Sequence, residues 1–241
     1  MRPKEIDSSQ TREQFFRDLI DFILGANPED DLRRDPIACR LGTLSSTVRS
    51  EIVNRVHNSC SHLFLGARRG LARISIYLLY ECDANVGKKG VNEIQVTPLR
   101  CAAVLGHLRK CEVLVERGAD VDVVSDTGST ALRRASYWSH SAVVKHLIRK
   151  GADVNRVNHD GRTCLMSSAQ SEDLCFLILK GANVNARDSQ FETVLFFAVG
   201  KLQFGTDKVL LEHDAGYLTQ NNHGHDALRI ACLEGCELSD G

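Results

Sequence analysis

One spacing constrains this chain more than any other. Thr97-Pro98-Leu99 is answered 33 residues later by Thr130-Ala131-Leu132, and Gly118-Ala119-Asp120 at the same distance by Gly151-Ala152-Asp153. Two different short runs sharing one period mean a repeated structural unit, and a period of this size belongs to stacked units. One unit is too small to bury its own apolar face, so neighbours must cover it.

One rule extends the register: a helix-capping residue, then Leu, then small residues. Thr163-Cys164-Leu165 follows Thr130 by 33, Thr193-Val194-Leu195 comes after 30 more, and Asp226-Ala227-Leu228 after another 33. Upstream, Ser61-His62-Leu63 precedes Thr97 by 36. The period and its two runs resemble the ankyrin repeat. That resemblance implies an all-α solenoid of helix-turn-helix units with β-turn fingers. Repeats are expected over 61–90, 91–125, 126–158, 159–188 and 189–221, with a partial sixth at 222–241.

Each part of the unit has a physical reason. The Thr at the start of the first helix can accept a hydrogen bond from an orphaned amide. Pro98 suits the first helical position, where its missing N–H costs little. Val143, Val144, Leu147 and Ile148 form the apolar stripe of a second helix. Gly118, Gly151 and Gly181 are expected to end these helices, and Asp126-Thr127-Gly128 and His159-Asp160-Gly161 to form tight turns at the fingers. Ala102 and Ala103 let helices approach closely.

The irregularities are expectations too. Only 18 residues separate Thr163 from Gly181, against 21 in the preceding units, so Gln170 to Asp173 replaces a longer turn. Extra residues from Gly87 to Glu93 read as a lengthened finger. The sixth unit stops after one helix, Ala227 to about Leu233, leaving Leu228, Ile230 and Leu233 without a second helix over them. It reads as a fragment or a degenerate end.

Residues 1–60 carry no repeat and are expected to form an N-terminal helical cap. Thr11-Arg12-Glu13-Gln14 has capping-box spacing and opens a helix bearing Phe15, Phe16, Leu19, Ile20 and Ile23 that ends near Gly25. A second helix is expected from about Ser46 to His57, with Val48, Ile52, Val53 and Val56 inward. The charged stretch from Asn27 to Arg40, with two prolines, reads as a loop.

Composition narrows the partners. Lys and Arg total 30 against 31 Asp and Glu, so bulk charge favours neither nucleic acid nor an anionic membrane. Phe15 to Leu24, the most apolar N-terminal stretch, is broken by Arg17, Asp18 and Asp21 and cannot span a bilayer. The nine cysteines form no framework spacing. They read as small core residues in a reducing, cytoplasmic or also nuclear setting. A monomer is expected.

Catalytic signatures are missing. There is no phosphate-loop spacing, no Gly-x-Ser-x-Gly elbow and no His-Glu-x-x-His, so no enzyme and no cofactor are expected. Gly87-Lys88-Lys89-Gly90 reads as an exposed finger. His223, His225, Cys232 and Cys236 are the best metal candidates, but two flank a turn and two sit at or beyond the next helix, and no metal site is expected. Cys101, Cys164 and Cys175 fall at core positions, where thiols are inert.

The recognition surface is expected on the concave face, where finger tips and first helices show their variable positions. The register puts Arg100, Arg133, Arg134, Tyr137, Trp138, Arg162 and Met166 there. Adjacent arginines and aromatics suit a carboxylate or acidic peptide, through bidentate pairing and ring contacts.

The central runs also resemble the Fem (feminization) family of ankyrin proteins. Ser129-Thr130-Ala131-Leu132-Arg133 is similar to its Ser-Thr-Pro-Leu-Arg, and Thr163-Cys164-Leu165-Met166 reproduces its Thr-Cys-Leu-Met. Thr97-Pro98-Leu99-Arg100-Cys101-Ala102-Ala103 holds the preceding register, after the insertion. The resemblance covers about residues 61–215. It implies a substrate-recognition component of a cullin-RING ubiquitin ligase, whose groove captures substrate C-termini through acids in two Phe-Asp-Gly stretches. Here the second stretch reads Tyr137-Trp138-Ser139, with Trp138 at the aspartate. In the insertion Glu93 is the nearest acid. A partner complex of elongin and cullin is implied only if a docking extension follows Gly241. The alternative is an ankyrin scaffold with no ligase role, binding an acidic or C-terminal peptide on its concave face.

Overall fold

The computed structural model describes residues 9–25, 46–54, 56–57, 60–61, 63, 67, 78, 84–87, 97–169, 172–199 and 204–237. Glu93, the loop over 27–40, Lys88 to Asn92 of the lengthened finger and Gln170 lie outside them. The chain divides into two compact units, Met1–Asp126 and Thr127–Gly241.

In the first unit, α1 (Ser9–Gly25) and α2 (Ser46–Asn54) pack together. Their buried faces carry Phe16, Leu19, Ile20 and Ile23 from α1 and Ile52 and Val53 from α2, the spacing of an amphipathic helix. Two expectations need correction. Thr11 lies inside α1 and does not cap it, and Gln14 Nε2 donates instead to Asp18 Oδ1 one turn on, at 2.8 Å. The second helix stops at Asn54. Val56–His57 (β1) then pairs antiparallel with Cys60–Ser61 (β2), Val56 opposite Ser61. Ser61 is therefore a strand residue. The Asn54 side chain helps to end the helix, accepting from the Asn85 amide 31 residues away, a use of a polar side chain that competes with helical pairing. α3 (Pro98–Val104) and α4 (Leu108–Glu116) complete the described part of this unit and pack face to face.

The second unit is a stack. First helices α5 (Ala131–Tyr137), α7 (Cys164–Ser167), α9 (Val194–Val199) and α11 (Ala227–Glu237) lie in a row, each packed on the next. Second helices α6 (Ser141–Arg149), α8 (Asp173–Leu179) and α10 (Phe204–Glu212) pack on α5, α7 and α9. Four of the five caps from Thr97 to Asp226 act as the register predicts, while the Thr193 hydroxyl is buried without a hydrogen-bond partner. Thr130 Oγ1 accepts from the Arg133 amide at 3.2 Å, Thr163 from Met166 at 3.3 Å and Asp226 from Arg229 at 2.8 Å; Thr97 does the same for Arg100 in the first unit. The helix-ending glycines Gly118, Gly151 and Gly181 have φ of 84°, 90° and 85°, the left-handed region that a Cβ disfavours.

Asparagines tie the units together. Asn155 Nδ2 donates to the Gly181 carbonyl while its Oδ1 accepts from the Asn183 amide. Asn185 repeats this with Asp214 and Gly216 one unit later. The fingers are linked as well, by Ser189 N–H to Asp160 O and Asn222 N–H to Gln190 O. These bonds cross from unit to unit, so each orders the next.

The short fourth repeat takes the form its spacing implied: α7 has four residues where α5 has seven. Cys101, Cys111 and Cys164 are buried, but Cys175 is exposed. The expectation of a core position fails there because α8 presents Leu174 and Leu177 inward instead. α11 runs to Glu237, beyond the expected Leu233, and Leu228 and Leu233 are about half exposed, at 57% and 50%. Among the described residues, no helix is long and apolar enough to cross a membrane.

Candidate functional site

The expected site residues fall in three groups. Glu93 lies outside the described residues. Arg100, in the first unit, is buried, and so is Met166 in the second. Both occupy the third helical position, Arg100 after Thr97 and Met166 after Thr163, where the side chain lies over the turn before it. Arg133, Arg134, Tyr137, Trp138 and Arg162 remain, all in the second unit and all at least partly accessible.

α5 positions four of these five. Arg133 follows the cap by three residues, and its Nη1 donates to Ser129 Oγ at 3.1 Å. Arg134 sits beside it with its guanidinium 5.5 Å from the centre of the Tyr137 ring. Tyr137 and Trp138 end the helix and meet edge to face, with ring centres 5.3 Å apart and planes at 86°. Both are more than half exposed, 56% and 51%. Aromatic pairs of this geometry attract beyond their area burial, so the rings hold one another in place at the surface. Ser139 then takes φ 55°, at the position where the preceding repeat has Gly106, and turns the chain into α6.

Electrostatics separate the three arginines. Arg162 Nε donates to Asp188 Oδ2 at 3.2 Å, and its guanidinium lies 5.1 Å from the centre of the Phe197 ring on α9. Its charge is answered. Among the described residues, Arg133 and Arg134 form no ion pair. The Nε atoms of both are buried without a hydrogen-bond partner. Burial pushes the Arg133 pKa below its ordinary value, and the neighbouring Arg134 and Arg162 push the same way; Asp160 acts against them. The result is a local excess of positive charge beside two exposed rings, an arrangement that attracts carboxylates.

Two contributors escape a reading by register of the variable positions alone. Asp188 has no exposed side-chain surface, and its Oδ1 accepts from the Gln190 and Glu192 amides at 2.9 and 3.0 Å. It holds the finger and the arginine at once. Asn158 and Asn221 occupy the same register and likewise accept backbone amides, from Arg162 and from His223 and His225. That recurrence was the available signal. Phe197 follows its cap Thr193 by four residues, as Arg134 follows Thr130, which marks it as a surface position of α9.

The Cys164 thiol is held protonated in the interior. Burial pushes Cys164 up to about 12, and its Sγ donates to the Val154 carbonyl. Among the described residues, no group of three His, Cys, Asp or Glu side chains is placed to hold a metal ion. The His223 and His225 rings lie 6.2 Å apart.

Known proteins agree with this architecture. The ankyrin-repeat family pattern (Ankyrin repeats, 3 copies) matches residues 63–158 and 118–188, together more than half of the chain. The chain is also similar to Protein fem-1 homolog CG6966 of Drosophila melanogaster, 35% identical over 92 residues, or 36% of this chain. The match covers 14% of that protein's length. Stacked first and second helices, Thr caps, left-handed glycines and the match over 63–188 have one common explanation: the chain belongs to the ankyrin-repeat family.

Proposed function

We propose that this protein-interaction module recognises an acidic or C-terminal peptide on the face formed by its fingers and first helices, with Arg133, Arg134, Tyr137 and Trp138 as anchors and Arg162 beside them. One observation carries the reading: two adjacent arginines, with no acidic partner among the described residues and with Nε atoms that no hydrogen bond satisfies, stand next to two exposed aromatic rings. Such residues dominate the binding energy of protein interfaces. A fluorescein-labelled peptide of alternating Glu and Gly with a free carboxylate end is the direct probe. Trp138→Ala and Arg134→Glu should each weaken its binding by about 2 kcal/mol or more, as truncated hot spots do. Equal affinity in wild type and both variants would remove these residues from the interface.

The resemblance to the Fem family, supported by the 92 matched residues, favours a second reading at the level of the pathway. The module would present its ligand to a cullin-RING ubiquitin ligase, with a ligand charge opposite to that taken by an acidic Fem groove. Trp138 at the aspartate position supports the changed specificity. A pull-down of the full-length gene product tests the ligase role: elongin and cullin should be enriched, and their absence would leave recognition without a ligase.

A further inference from the structure

We infer that the first-helix face of residues 127–241 holds two subsites of different character for one extended peptide. Arg133 and Arg134 take a carboxylate, and the Arg162–Phe197 stack takes an uncharged apolar or aromatic side chain. The inference rests on the reading above and adds the second subsite and its chemistry.

Charge distinguishes the subsites. At α5 two guanidinium groups have no ion pair among the described residues, and Asp160, the carboxylate that acts on Arg133, has its Oδ2 already accepting from Asn158 Nδ2 at 2.9 Å. An incoming carboxylate completes that site. Beside α7 and α9 the charge of Arg162, which immediately precedes the Thr163 cap, is neutralised. Asp188 holds Arg162 Nε at 3.2 Å, with the guanidinium 5.1 Å from the centre of the Phe197 ring and 41% of the Arg162 side chain exposed. A second carboxylate brought there would meet the buried Asp188 charge. A charge-balanced surface with a ring beside it instead favours apolar or aromatic contact, because desolvating it strips no unpaired charge of water.

Continuity and spacing follow from the stack. Arg133 and Arg162 are close enough to influence each other, and α5, α7 and α9 pack in sequence. Packed helix axes lie roughly 8–10 Å apart and an extended peptide advances about 3.3 Å per residue, so the two ligand side chains should be about three to six residues apart. Arg133, Arg134 and Phe197 sit on helices, which place side chains more accurately than loops, and Asp188 holds Arg162, which precedes the Thr163 cap.

The test uses the whole chain and N-terminally labelled synthetic peptides, read by fluorescence anisotropy. The parent peptide carries Glu and Phe separated by four Gly or Ser residues. Matched peptides replace Glu by Gln or Phe by Ser, and each is made with a free and an amidated end. The parent should bind at least tenfold more tightly than either replacement. Phe197→Ala should remove the advantage of the peptide Phe while keeping that of Glu. Phe197→Leu, which retains an apolar side chain on α9, guards against a folding defect and should lose part of the same advantage. Loss of binding on amidation assigns the carboxylate to the chain end; retention assigns it to the Glu side chain. If wild type ignores the Phe-to-Ser change but still prefers Glu, the second subsite is wrong and the first reading stands. If neither Glu nor the free end matters, both fall.

Discussion

Arg162 Nε donates to Oδ2 of Asp188 across 3.2 Å, and that carboxylate has no exposed surface. The same side chain accepts two finger amides through Oδ1. One residue thus sets the finger turn over 188–192 and fixes an arginine that follows the preceding finger, 26 residues earlier. Asp188→Ala should cost about 3 kcal/mol, because it orphans buried amides and a charged partner together. Asp188→Asn keeps the acceptor, as Asn158 and Asn221 do at this register, and should cost only about 1 kcal/mol. Urea unfolding of the two variants checks the ordering.

The caps are not equivalent. Thr163 Oγ1 accepts from the Met166 amide, so Thr163→Val should destabilise by about 1 kcal/mol. Thr193 has the same position in its repeat, but its hydroxyl is buried without a hydrogen-bond partner. Replacing an unsatisfied hydroxyl with a methyl group of similar shape is neutral or favourable. Thr193→Val should leave the melting temperature unchanged or raise it, the opposite of Thr163→Val.

Gly128 has φ 71°, and a Cβ built there would lie 2.6 Å from His159 Cδ2 and 2.8 Å from the His159 amide nitrogen. The backbone atom cannot swing away as a side chain could. Gly128→Ala should therefore cost about 2 kcal/mol or more. It should also increase hydrogen exchange at the His159 amide, which donates to Thr127 O. Gly151→Ala, where nothing lies within 4 Å, carries the conformational penalty alone and should be milder.

Lys110 on α4 is 2% exposed and its Nζ donates to the Ala67 carbonyl at 3.4 Å. Burial lowers its pKa from 10.5 to about 8. Between these values the unfolded chain holds a proton that the folded chain has released, so this group makes stability rise with pH. Lys110→Met should stabilise the protein at pH 7 by about 2 kcal/mol, a gain that shrinks as pH rises from 8 to 10.5. Burial raises Cys111 to about 12, so its effect runs the other way above about pH 9. The comparison of wild type with Lys110→Met across pH isolates the lysine.

The repeats were legible in the sequence because their determinants are local. A Thr hydroxyl reaches an amide three residues on, and a glycine ends its own helix, so a period of 33 carries both. The exposed Tyr137 and Trp138 were legible for the same reason, being fixed by the end of α5. Asp188 was not, since its arginine is 26 residues away and arrives only when fingers stack. The β1–β2 pair at Val56 and Ser61 was missed because an amphipathic pattern does not show where a helix yields to a short hairpin. The exposure of Cys175 follows from α8 turning Leu174 and Leu177 inward, which spacing alone does not give.

The central claim is that an arginine pair on α5 receives negative charge, and charge exchange tests it most directly. The affinity of a labelled Glu-containing peptide should fall at least tenfold, about 1.4 kcal/mol, in Arg134→Glu. The same variant should bind a matched peptide with Lys in place of Glu more tightly than wild type does. Unchanged affinity for both peptides in a folded Arg134→Glu protein would contradict the account.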